Sequence, residues 1–147
     1  MFKSILVPTD GSTHSRKAAK AAIAYAKKAR AELTAYHAVR TAQPYLGGEG
    51  ALIDSPVIAI IEAAARERGE KYVTEIAKAA RAARVPCATY VTRAATPYQG
   101  ILAAARRKKC DAIFIASHGS GAGASLLLGS VTQRVLAHSK VPVIVLR

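Results

Sequence analysis

Residues 111–138 read DAIFIASHGSGAGASLLLGSVTQRVLAH. Asp111 to Ser117 is an apolar run of the kind that forms a strand buried on both faces. A helical pattern follows from Ser130 to Ala137. Between them lies a glycine-rich stretch of small and polar residues, and two readings fit it. The glycines bring backbone N–H groups close to a bound group, phosphate being the usual one, or they form a flexible connection only. In either case a buried strand feeding a helix is the unit from which parallel sheets are built.

The same succession extends in both directions. Phe2 to Thr9 holds a continuous apolar run at Ile5, Leu6 and Val7. Ser12 is placed to cap the helix HSRKAAKAAIAYAKKA, with Ala19, Ala22, Ile23 and Ala26 facing inward. Ala31 to Val39 reads as a second strand. Arg40 to Pro56, with QPYLGGEG and its Gly47–Gly50 run, reads as a loop. A long alanine-rich helix spans Val57 to Arg84 and stops before Pro86. Cys87 to Arg93 is a third strand, Pro97 opens a helix that runs to Lys109, and Val141 to Arg147 is the last strand. The order βαβαβαβαβ predicts one α/β domain over residues 1–147. It is a doubly wound parallel sheet of five strands with helices on both faces.

Composition bounds the function classes. The chain has 147 residues, 51% hydrophobic, which suits one domain with a sizeable core and excludes a disordered chain. The longest uncharged stretch, Ala112 to Gln133, has the length of a membrane span, but Ser, His and Gly occupy its middle, so no span is expected. The first apolar run stops at Asp10, and no secretory signal is read. Cys87 and Cys110 form no close pair and no metal-type spacing. These features predict a reduced, cytoplasmic protein.

The net charge of +13 suits an anionic partner such as nucleotide, nucleic acid or membrane surface, or else a plain basic surface. The cations gather where helices end: Lys27, Lys28 and Arg30; Arg81 and Arg84; and Arg106 to Lys109. There they complement the helix dipole. In a doubly wound fold these ends share the face opposite the ligand site, where an anionic partner would meet them. No nucleic-acid-binding module is apparent, and 5% aromatic content leaves few stacking platforms, so nucleic acid is not expected.

In such a sheet, ligands sit at the C-terminal ends of strands, where the strand order reverses. PTDGS, Pro8 to Ser12, and the stretch after Ala116 both fall at strand ends and lead into helix N-termini, which attract anions.

ILVPTDGS at Ile5–Ser12, SHG at Ser117–Gly119 and the closing LLLGSVTQRVLAHSKVPVIVLR resemble the universal stress protein family. The resemblance runs through the whole chain in order and spacing. It implies the strand order 3-2-1-4-5. That family divides into members that bind ATP and members that do not. Binders carry G-x-x-G, nine residues, then G-[ST]. Here Gly119, nine residues and Gly129-Ser130 match, while Ala116 stands at the first glycine. The resemblance implies that Gly119, Gly129 and Ser130 contact phosphate, with His118 and Val131 beside them. It places Asp10, Pro8 and Thr9 at the ribose or adenine side, and the adenine near Ala38 and Val39. ATP or a related nucleotide is the implied ligand, with Mg²⁺ only on its phosphates. Ala116 ends an apolar strand, so an extended backbone is expected there and its Cβ costs little conformationally.

Plainer readings stand beside these. Asp10 supports the turn into the first helix, Ser130 caps the last helix, and His118 makes a structural hydrogen bond. Gly121 and Gly123 give loop flexibility. His14, His37, His118 and His138 show no i, i+4 pair, so no metal site is expected. No nucleophile–base arrangement can be argued. The expected function is a stress-associated regulatory nucleotide-binding protein, at most a slow ATPase. One alternative is a dimeric interaction protein of the same fold that binds no nucleotide. Another is an ATP-dependent enzyme of a related fold, which needs a second pocket and reactive groups. With the implied strand order, Val141–Leu146 forms an uncharged sheet edge, and a homodimer through it would pair that edge.

Overall fold

A computed structural model of the chain describes residues 1–41, 55–121 and 127–147. The elements are β1 (Ser4–Pro8), α1 (Thr13–Ala29), β2 (Glu32–Arg40), α2 (Ser55–Ala82), β3 (Cys87–Ala94), α3 (Pro97–Arg107), β4 (Ala112–Ala116), α4 (Ser130–His138) and β5 (Val143–Leu146). All strand pairs are parallel, in the order β3-β2-β1-β4-β5. This is the doubly wound α/β fold that the sequence predicts. Most of the Arg40–Pro56 loop, including Gly47–Gly50, lies outside the described residues, as does Gly123.

Alternation along the central strands builds two cores. Ile5, Val7, Leu33 and Phe114 face α1 and α2, against Ala19, Ala22, Ile23, Ala26, Val73 and Ile76. Leu6, Tyr36, Ile113 and Ile115 face α3 and α4, against Ile101, Ala104 and Val135. Both faces are covered, which is why β1 and β4 read as unbroken apolar runs. Ile5, Leu6 and Ile113 are fully buried. Truncating one of them to alanine removes about 2–5 kcal/mol. Among the described residues no helix is long and apolar enough to cross a membrane.

Three helices end the same way. The N–H groups of Ala31, Val85 and Cys110 reach back to the carbonyls of Ala26, Ala80 and Ala105 at 3.0, 2.9 and 2.9 Å. The residue before each takes a left-handed backbone: Arg30 (φ 51°), Arg84 (φ 61°) and Lys109 (φ 53°). Each is a Schellman-type stop, with the residue after the left-handed one buried. Several boundaries differ from the sequence reading for local reasons. β5 starts after Pro142, which has no N–H to give. The last turn of α3 tightens as Lys109 N–H bonds Arg106 O, so the helix closes at Arg107. Gly129, not Ser130, is the N-cap of α4, and Ser130 is its first residue.

Candidate functional site

The strand order reverses between β1 and β4, since β1 connects to β2 on one side and β4 to β5 on the other. At the C-terminal ends of these strands lies a cavity of about 660 Å³. Ligand pockets for small molecules span roughly 300–1,000 Å³.

The first wall is the turn from β1 into α1. Thr9 N–H bonds Tyr36 O at 2.8 Å, and Thr9 Oγ1 accepts from Gly11 N–H at 3.1 Å. Ser12 Oγ accepts from Ser15 N–H at 3.2 Å and so caps α1. Gly11 has φ +77°, and a Cβ there would stand 2.4 Å from the Tyr72 ring. This glycine is therefore fixed by both backbone and neighbour. Asp10 accepts from Ser12 N–H at 3.0 Å through one oxygen and from Ser120 N–H at 2.8 Å through the other. Burial pushes its carboxyl up, but the hydrogen bonds from Ser12 and Ser120 outweigh burial and hold it below its ordinary value.

The second wall is the turn out of β4. Thr132 Oγ1 donates to Ala116 O at 2.8 Å, and Ser117 N–H bonds Leu146 O at 2.8 Å. Ala116 is a paired strand residue and is not among the left-handed positions. Its Cβ therefore carries no conformational penalty. Gly129 N–H returns to Ser117 O at 2.8 Å and closes the loop at its base. A Cβ on Gly119 would stand 2.6 Å from Asp10 Oδ2, and one on Gly129 would stand 3.3 Å from Ser117 O. Gly119 thus makes room for the Asp10 carboxylate, while at Gly129 a Cβ would be tight against the backbone. His118 bonds Leu127 O through Nε2 and the Ser117 hydroxyl through Nδ1 at 2.9 Å. A carbonyl only accepts, so Nε2 is the donor to Leu127 O. The α4 N-terminus, by contrast, has no side-chain cap and no acidic residue in its first turn. Gly129, Ser130 and Val131, at this uncapped helix start, line the cavity, although the Gly129 N–H itself is taken by Ser117 O.

The third wall comes from β2 and α2. Ala38 and Val39 line it, joined by Arg40, Arg68, Tyr72 and His37, none of which the sequence reading placed at the site; it weighed His37 only as a metal ligand. His37 Nδ1 donates to Thr9 O at 2.7 Å, and its ring meets Tyr72 edge-on at 5.5 Å. Gly69 lets α2 pass against that ring, since a Cβ there would lie 2.3 Å from it. Ala65, Arg68 and Tyr72 share one helix face by spacing. Nothing in the sequence says which sheet edge that face covers.

All eleven residues selected from the sequence line this one cavity: Pro8, Thr9 and Asp10; Ala38 and Val39; Ala116, His118 and Gly119; and Gly129, Ser130 and Val131. Asp10 is the sole carboxylate among its described lining residues, and both its oxygens already accept from backbone. No group of three metal-ligating side chains occurs among the described residues.

The sequence pattern of the universal stress protein family matches residues 1–147. A universal stress protein of Thermus aquaticus, encoded beside a QAH/OAS sulfhydrylase, is 35% identical over the full length of both chains. Universal stress protein UspA from Lactobacillus plantarum superposes with a TM-score of 0.84 at 22% identity, covering 99% of this chain and 97% of that one. Two further universal stress protein structures were solved with nucleotides. One is a complex with cAMP (TM-score 0.70, 22% identity, 99% and 97% covered). The other, from Archaeoglobus fulgidus, is a complex with dAMP (TM-score 0.66, 18% identity, 99% and 98% covered).

Proposed function

The chain belongs to the universal stress protein family, and from that premise we propose that it is a regulatory protein that binds an adenine nucleotide in this cavity. One observation carries the reading. The uncapped N-terminus of α4 opens into the cavity, with small residues at Gly129 and Ser130, while α1 beside it is closed by Ser12. An anion supplies the missing acceptor, and the dipole favours it. The phosphates lie at Gly129, Ser130 and Val131, and the base lies toward Ala38 and Val39. Structures of the same fold hold cAMP and dAMP, which have adenine in common. ATP fits the same arrangement. Mg²⁺ enters only on its phosphates, because Asp10 is a lone carboxylate among the described lining residues and no group of three metal-ligating side chains stands there.

Asp10 and His118 are both engaged in protein hydrogen bonds, and neither is placed as a general base. These contacts favour holding a nucleotide, with at most slow turnover. The readout would be a homodimer through β5, whose outer edge pairs with no strand among the described residues.

Calorimetry with AMP, ATP and GTP tests the reading. Saturable binding of the adenine nucleotides is expected. Gly129→Val should abolish it, with a circular dichroism melt to show that the fold persists. Silence of the parent protein at millimolar nucleotide would instead favour an interaction protein of the same fold.

A further inference from the structure

The end of the domain opposite the cavity carries a dense field of cations. α1 ends on Lys27 and Lys28, α2 on Arg81, and α3 on Arg106 and Arg107. One or two such charges per helix suffice to complement the dipole. Arg30, Arg84 and Lys109 go further. They occupy the left-handed position of the three Schellman stops, where glycine is the ordinary residue because a Cβ is strained there. All three side chains are exposed. Charge is thus kept three times, at one end of the molecule, where backbone geometry favours removing the side chain.

These cations are not balanced from within. The four ion pairs among the described residues are all made by glutamates of α2, with Arg16, Arg66, Lys71 and Arg93, and none includes Arg30, Arg84 or Lys109. At this end the acids are Glu32 and Asp111, and Asp111 is committed to the backbone N–H groups of Lys3 and Ser4.

We infer that this end face docks on a membrane surface of anionic lipid headgroups. The cations come from both helix layers, α1 and α2 on one side of the sheet and α3 on the other, so they spread across the width of the sandwich. A planar leaflet engages all of these charges at once, whereas a nucleic-acid single strand is held by stacking on aromatic side chains as well as by charge. Base stacking has little to work with here: Tyr90 is half-buried, and Lys108 Nζ lies 4.5 Å over its ring. Each cation near an anionic leaflet strengthens binding by about fivefold.

The test is co-sedimentation with phosphatidylcholine vesicles containing about a third phosphatidylglycerol, against pure phosphatidylcholine, at low salt. The parent should bind only the anionic vesicles and be released by added salt. The triple variant Arg30→Gly, Arg84→Gly, Lys109→Gly should bind about a hundredfold more weakly. Its Tm should be equal or higher, since glycine relieves the left-handed strain. Failure of the parent to bind anionic vesicles would overturn the inference, and so would a triple variant that binds like the parent. Binding to duplex DNA without binding to vesicles would overturn it in favour of nucleic acid. The variant's nucleotide affinity should equal the parent's, so this result and that of the cavity stand or fall separately.

Discussion

Asp10 Oδ2 accepts the Ser120 N–H at 2.8 Å, joining two turns that are 110 residues apart in the chain. The same oxygen sits 2.6 Å from where a Cβ on Gly119 would stand. One carboxylate therefore holds the two walls of the cavity together, and one glycine makes room for it.

Asp10→Asn leaves one acceptor oxygen for two N–H groups. It should lower stability by about 1–3 kcal/mol, read by urea unfolding at neutral pH. The folded carboxyl lies below its ordinary 3.8, so the unfolded chain takes up the proton first as pH falls. The stabilisation is complete above about pH 5 and is lost as pH drops through 3.8 toward the folded value. The asparagine variant should show a flatter stability profile across that window.

Gly119→Ala should push Asp10 off Ser120 and weaken nucleotide binding. A double-mutant cycle with Asp10→Ala separates this contact from a general loop effect. The alanine at 119 should be costly when Asp10 is present and nearly neutral when it is absent, a coupling of about 1 kcal/mol or more. Equal costs in both backgrounds would refute the contact.

Ala116→Gly should not rescue or improve binding. Ala116 is an ordinary paired strand residue, and the glycine should lower stability by about 0.5–1 kcal/mol. A tenfold gain in nucleotide affinity, measured by calorimetry, would show instead that its Cβ crowds the ligand.

Cys87 and Cys110 should titrate as two free thiols in denaturant. β2 and β1 lie between the strands they adjoin, far beyond the roughly 7 Å reach of a disulfide. In the folded protein Cys110 should react more slowly. It is the more buried, and burial pushes both thiols up.

The proposed dimer through β5 can be separated from the fold by two proline substitutions. Ile113 N–H bonds Pro142 O and Ser117 N–H bonds Leu146 O, so the even-numbered residues of β5 face β4 and Val145 N–H faces outward. Val145→Pro should dissociate the dimer with a small loss of stability, while Ile144→Pro should destabilise the fold itself. Sedimentation at micromolar concentration reads both, and a parent that runs as a 15.4 kDa monomer would rule the dimer out.

Local chemistry determined the elements of this protein. Unbroken apolar runs at Ile5–Val7 and Ala112–Ala116 marked strands covered on both faces, and Ser12 and Pro97 marked helix starts. The strand–helix alternation fixed the parallel sheet. The two turns that form the cavity were also legible, because both fall at strand ends that lead into helix N-termini, while the roles of their individual residues came from the family resemblance. Only the tertiary structure brought α2 over the end of β2, placing Arg68 and Tyr72 in the same cavity as Gly129. It also gave Gly119 its partner in Asp10 and showed three cations in left-handed positions at one end. Helical spacing says which residues share a face but not what that face meets. A glycine's sequence shows that room is needed but not for which atom. Those relations join residues tens to more than a hundred positions apart, and packing alone decides them.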